Sequence, residues 1–160
     1  MDARYLKTLE YNKIIDRLAA LCQTAEGRAL AEALLPSDDY REVLHRQRLT
    51  AEGRRLLEMK PGLSLAPARD VRALVRQAAV GHVLEPAELL DVHSTLSLAR
   101  SVRDTISRLR VQLPFLAEIA ETIADFAELT SGIARCVNQR GEVVDAASPT
   151  TGCRGGFSSS

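Results

Sequence analysis

The sequence predicts an all-α domain built around one long helix over about residues 86–113, with a short β-hairpin near 137–145. Three observations predict it. The stretch PAELLDVHSTLSLARSVRDTISRLRVQL has no glycine and no internal proline, and it repeats apolar residues at Leu89, Val92, Leu96, Ala99, Val102, Ile106, Leu109 and Leu113. At about 1.5 Å per residue such a helix extends roughly 40 Å, long enough to be a spine for shorter helices. Aromatic residues make up 4% of the 160 and tryptophan is absent, so the core must come from Leu, Ile, Val and Ala, a composition that favours helices over sheets. On either side of the spine the apolar residues also recur at helical spacing.

A first helix is expected from Leu9 to Cys22, with Leu9, Ile14, Ile15, Leu18 and Leu21 inward and Lys13, Asp16 and Arg17 outward. Thr24 can cap a second helix over 25–34, with Glu26 in its first turn and Leu35-Pro36 ending it. Ser37, Asp38 and Asp39 start a third, which runs to about Met59 and is stopped by Lys60-Pro61-Gly62. Within it Gly53 costs about 1 kcal/mol relative to alanine, and so marks a bend or a close contact. TAEGR occurs at 24–28 and again at 50–54, but two copies are too few for a repeat architecture and are read as coincidence.

Residues 60–68 form a loop, and a fourth helix follows over Asp70 to Ala79, with Val71, Leu74 and Val75 inward and Gly81 just past its end. Pro86 suits the first turn of the spine, where a missing N–H is harmless. After Leu113-Pro114 a sixth helix should bury Leu116, Ile119, Ile123 and Phe126, leaving Glu118, Glu121, Asp125 and Glu128 as an acidic stripe. Arg103 and Arg110 of the spine flank its seam and are placed to meet that stripe, while Arg100, Asp104 and Arg108 make an i,i+4 ladder. A last helix carries Leu129, Ile133, Cys136 and Val137, the hairpin turns at Arg140-Gly141, and residues 150–160 read as a disordered or aberrant tail after a domain over 1–149.

The chain holds 21 basic and 21 acidic residues, so any attraction to nucleic acid must come from a local patch. A chain of this length should bury about 70% of its unfolded surface in one core. Three cysteines, Cys22, Cys136 and Cys153, are too scattered for a disulfide framework, and no segment reads as a signal peptide or a membrane span; a soluble cytoplasmic protein is expected. The only lysines are Lys7, Lys13 and Lys60, none of which follows a glycine. A phosphate-cradling Gly-Lys-Ser/Thr loop is therefore excluded. His45, His82 and His93 lack partners at metal-ligand spacing, so no catalytic, cofactor or metal residue is assigned.

What remains is charge. Between residues 41 and 76, Arg41, Arg46, Arg48, Arg54, Arg55, Lys60, Arg69, Arg72 and Arg76 face Glu42, Glu52, Glu58 and Asp70, nine against four. The arginines among them are the candidate contacts to nucleic acid or a partner, weighed against a plain solvated helical face.

Several segments resemble one family. Leu9-Glu10-Tyr11 with Ile14 and Leu18, then Gly27 and Leu35-Pro36-Ser37, resembles the opening of bacterial MutS-related proteins of type two. Val83-Leu84 with Glu88-Leu89-Leu90 resembles the start of that family's long helix, and Gly141-Glu142-Val143-Val144-Asp145-Ala146-Ala147-Ser148-Pro149 its GEVxDxAS segment. The resemblance implies a helical core and lever region. In the full-length family it implies an ATP- and Mg-dependent ATPase and endonuclease that suppresses recombination, acts on collided ribosomes, takes mismatched DNA and ribosomal RNA as ligands, and forms a homodimer. None of the residues that would bind ATP or cut DNA has a counterpart here, so this chain is expected to carry no cofactor and to be a noncatalytic N-terminal scaffold. After Pro149 the sequence departs from the family, as a truncated or shifted reading frame would. The alternatives are a free-standing helical interaction module and, more weakly, a thiol or metal enzyme.

Overall fold

The computed structural model describes residues 8–138 together with Leu6. Seven helices follow one another in these residues: α1 (Tyr11–Ala20), α2 (Ala25–Glu32), α3 (Tyr40–Met59), α4 (Arg72–Ala79), α5 (Pro86–Arg108), α6 (Pro114–Glu121) and α7 (Ala127–Cys136). No strand is present among the described residues. Most of the expected hairpin, the GEVVDAASP segment and the tail at 150–160 lie outside them. Val137 is extended at φ −131° and ψ 130°.

The helix boundaries follow local chemistry. The Thr24 hydroxyl accepts the Gly27 amide at 3.0 Å, and Asp39 accepts the amides of Arg41 and Glu42, so α2 and α3 begin at residues whose short oxygen side chains reach orphan N–H groups. Glu85 and Glu88 close a reciprocal capping box on α5, the Glu85 amide donating to Glu88 at 2.8 Å. At the far end of α4, Gly81 takes φ 88°; its amide donates to Ala78, and that of His82 to Gln77, which together end the helix in a Schellman turn.

The idea of one governing helix is corrected. α5 has 23 residues and α3 has 20, so two helices of similar length share the role of spine. α5 stops at Arg108 rather than near 113 because Pro114 drives Leu113 out of the helical region, to φ −133° and ψ 58°, and i→i+3 bonds tighten the turn before it. The described core sits where α3, α5 and α6 meet: Leu56, Ile106, Leu113, Ala117 and Ala120, flanked by Met59, Leu63, Val102, Leu109 and Leu116. α7 packs on α5, and α1 pairs with α2.

The buried faces are narrower than the periodicity implied. α1 buries Ile15 and Ala19 but leaves Ile14 and Leu18 exposed, as are Leu9 before it and Leu21 at its C-cap. α6 buries Ala117 and Ala120, the two small residues that let it approach α5 closely, and turns Ile119 outward; Phe126, Leu129 and Val75 are exposed as well. Among the described residues eleven apolar side chains are buried, four of them alanines, against sixteen large apolar side chains exposed. Among the described residues the core thus covers only part of the apolar faces that the periodicity defines. Gly53 meets no close neighbour, since a Cβ there would find nothing within 4 Å. The two TAEGR copies do different work, one starting α2 and the other lying inside α3.

Candidate nucleic-acid or partner interface

The arginines singled out from the sequence are all exposed, but the fold divides them. Arg41, Arg48 and Arg55 recur every seven residues and so lie within about 40° of one another around α3, while Arg46 and Arg54 fall on other sides. Arg46 is drawn into an ion pair with Glu42 and donates to the Leu35 carbonyl at 3.0 Å. Arg48 places its guanidinium 5.4 Å from the centre of the Phe115 ring, a cation–π contact. Arg72 donates to both Asp70 oxygens, at 2.8 and 2.6 Å, and reaches Glu26 at 3.3 Å. That guanidinium holds the Asp70 carboxyl well below the usual carboxylate range, and the partnership raises Arg72 in turn.

Arg69 anchors its stretch by its backbone instead: its amide donates to the Thr95 hydroxyl at 3.0 Å, and that hydroxyl donates back to the Arg69 carbonyl at 3.4 Å. Arg41, Arg54, Arg55, Arg69 and Arg76 have no ion pair among the described residues. These five side chains are what remains of the expected patch once structural partnerships are subtracted.

One of the four acids counted against those bases has another task. Glu52, 9% accessible on α3, accepts the amide of Phe115 at 3.2 Å and that of Leu116 at 2.8 Å. These are the second and third residues of α6, whose own N-cap, Leu113, offers no side-chain acceptor. Glu52 therefore caps a helix 63 residues away in sequence. Next to it His45 meets the Phe115 ring edge-on, with centroids 5.9 Å apart. The hint available in the sequence was the start of α6 itself, Leu-Pro with no Ser, Thr, Asp or Asn to cap it.

At the other end α6 stops at Glu121, so the single helix expected to carry Glu118, Glu121, Asp125 and Glu128 is broken before Asp125, and the spine arginines meet two of those four acids. Arg103 donates to the Ile123 carbonyl and to Asp125, both at 3.3 Å, and Arg110 pairs with Glu121 at 2.9 Å. The hydrogen bond from Arg103, with help from the Ala127 amide, lowers the Asp125 pKa. The ladder on α5 is looser: Asp104 lies 4.0 Å from Arg100 and 3.5 Å from Arg103. Among the described residues no group of three or more His, Cys, Asp or Glu could hold a metal, and no helix is long and apolar enough to cross a membrane.

Set beside known proteins, the chain is 37% identical over 149 residues to the protein named endonuclease MutS2 of Pelotomaculum thermopropionicum, a match covering 93% of this chain and 19% of that relative. It is 40% identical over 149 residues to the endonuclease MutS2 of Symbiobacterium thermophilum and 36% identical over 152 to that of Thermomicrobium roseum, with the same shares covered. The chain spans about one fifth of the length of the curated relatives it matches. No family model and no solved structure matches it.

Proposed function

Taking as premise that the chain is a stretch of MutS2-family sequence, we propose that it is the noncatalytic N-terminal scaffold of a type-two MutS protein, corresponding to that family's helical core and lever region. The observation that carries the reading is the apolar surface left open. Ile14 and Leu18 on α1 and Leu21 at its C-cap, spaced i, i+4 and i+7, are 60%, 40% and 80% accessible although the helix itself is regular. A contiguous apolar stripe on a well-formed helix is a surface for another protein segment. The remaining four fifths of the relatives' length supplies the occupant.

In this reading ATP chemistry and DNA cleavage belong to the rest of such a protein, and the five unpaired arginines contribute sequence-independent contact to DNA or ribosomal RNA. The test is reassembly. The chain is mixed with a separately produced remainder of the Symbiobacterium thermophilum relative and followed by analytical ultracentrifugation. A complex is expected with the parent chain, and its loss with Ile14→Ser/Leu18→Ser/Leu21→Ser. No complex, or one indifferent to the stripe, overturns the scaffold reading.

A further inference from the structure

The stripe is one flank of α1; a second feature occupies another. A groove of about 460 Å³ lies where α1 meets the end of α2, lined by Leu6, Tyr11, Asn12, Ile15, Asp16, Glu32, Leu34 and Leu35. Tyr11 and Ile15 share one side of α1, and the Tyr11 hydroxyl donates to the Leu34 carbonyl at 3.2 Å, fixing the ring across the apolar floor. Leu35 is 63% accessible beside it. Two carboxylates, Asp16 and Glu32, complete the lining, and neither has an ion pair among the described residues.

An apolar floor and two carboxylates with no ion pair among the described residues together specify the occupant. Nucleic acid and acidic membrane surfaces are repelled by the two negative charges. A wholly apolar segment would strand those carboxylates against it without partners. An arginine or lysine satisfies both demands at once, because its methylene stem lies on apolar surface while its head meets a carboxylate. The Tyr11 ring adds a face on which a cation can rest.

We propose that the groove formed by Tyr11, Ile15, Leu34 and Leu35 seats an apolar protein segment bearing arginine or lysine, whose cation is met by Asp16 and Glu32. The proposal deepens the scaffold reading and rests on it for the source of the segment, the remainder of a MutS2-type protein. It also sets the groove directly beside the apolar stripe, since Tyr11 and Leu18, seven residues apart, lie about 20° from one another around α1.

The probes are short overlapping peptides that cover the remainder of the Symbiobacterium thermophilum relative, titrated against the full chain by fluorescence anisotropy. Peptides that bind are expected to carry arginine or lysine beside apolar residues. Their affinity should fall roughly five- to tenfold on Asp16→Asn/Glu32→Gln, as expected for two exposed charge pairs, and should weaken with added salt. Both substitutions are at exposed positions, and unchanged circular dichroism and thermal unfolding serve as the folding control. Leu21→Ser, at the end of the stripe away from Tyr11, should leave peptide binding intact. Absence of any binding peptide, or binding that ignores the double neutralisation, overturns the groove. If the remainder assembles in a stripe-dependent way while the neutralised groove makes no difference, the groove fails and the scaffold stands. If cationic peptides seat in the groove but the remainder never assembles, the scaffold fails and the groove stands.

Discussion

The carboxylate of Glu52 and the amide of Leu116 meet at 2.8 Å across the contact between α3 and α6, and the same carboxylate takes the Phe115 amide at 3.2 Å. A helix that opens with Leu-Pro has no acceptor of its own for its first N–H groups, and left buried and unpaired they cost about 1–3 kcal/mol. α6 solves this with a side chain from another helix. Negative charge at this end also complements the helix dipole.

Glu52→Ala is therefore expected to destabilise the chain by about 1–3 kcal/mol in urea unfolding, although it removes an acid from a basic region. Glu52→Gln keeps one oxygen acceptor and should lose less. A neutral or stabilising Glu52→Ala would mean that water can cap α6 in its place.

Within the core, Leu113 is fully buried and Ile106 is 7% accessible. Leu113→Ala and Ile106→Ala should each cost about 2–5 kcal/mol, the range for large-to-small changes in packed interiors. Leu96 is only half-buried, so Leu96→Ala should cost less than either. Equal losses at Leu96 and Leu113 would show that the core extends further along α5 than the contacts at the α3–α5–α6 junction.

Two glycines should respond in opposite directions. Gly81 holds φ 88°, where a Cβ is crowded by its own backbone, and Gly81→Ala is expected to cost about 1 kcal/mol. Gly53 is interior to α3 with open space around it, so Gly53→Ala should gain about 0.5–1 kcal/mol. Thermal melting of the two variants beside the parent settles both signs.

Acid should reveal the clasp at Asp125, whose pKa is lowered first by its hydrogen bond from Arg103. A carboxyl with a depressed folded pKa adds stability above its unfolded value, about 3.9, and loses that addition as pH falls toward the folded value. Asp125→Asn should therefore lie below the parent in melting temperature at neutral pH. The two curves should converge below about pH 4. A gap that stays constant down to pH 2 would remove the ionic pairing as its cause.

If the unpaired arginines touch nucleic acid, binding of DNA or structured RNA should be weak and sequence-independent, with a slope of about 0.9 in log affinity per phosphate on duplex DNA. Three or four contacts imply roughly a hundredfold loss between about 50 and 200 mM salt. Arg54→Glu/Arg55→Glu/Arg76→Glu should abolish it. Arg72→Glu would also break the pairs with Asp70 and Glu26, and so must be judged against its effect on folding. No binding at low salt makes the region a solvated face.

Capping signals and stop signals were legible in the sequence because they are local. Thr24, Asp39, Gly81 and Pro86 each act within four residues of themselves, and each stands where the sequence placed it. The meeting of Arg103 and Arg110 with the following acids was legible because a tight connection leaves few geometries. Which apolar residues are buried was not, since periodicity finds an apolar face without saying whether anything covers it. Ile14, Leu18, Ile119 and Phe126 are the result. The partners within the basic cluster were not legible for a related reason: composition counts charges but does not assign partners, and Arg46, Arg48, Arg72 and Glu52 are committed to Glu42, Phe115, Asp70 and α6.

The two clasps on α6 also set an order of events. With eight residues it is too short to persist alone in water, and its N-terminal acceptor lies 63 residues upstream while Arg103, from α5, holds the Ile123 carbonyl just past its C-terminal end. During synthesis α3 emerges long before the amides it will cap, and Glu52 stays hydrated until they arrive. α6 therefore gains protection from hydrogen exchange together with the junction it completes, where Leu113, Ala117 and Ala120 are buried. Ordering this region thus depends on a contact of long sequence separation, Glu52 with Phe115 and Leu116, and not on the winding of α6 alone.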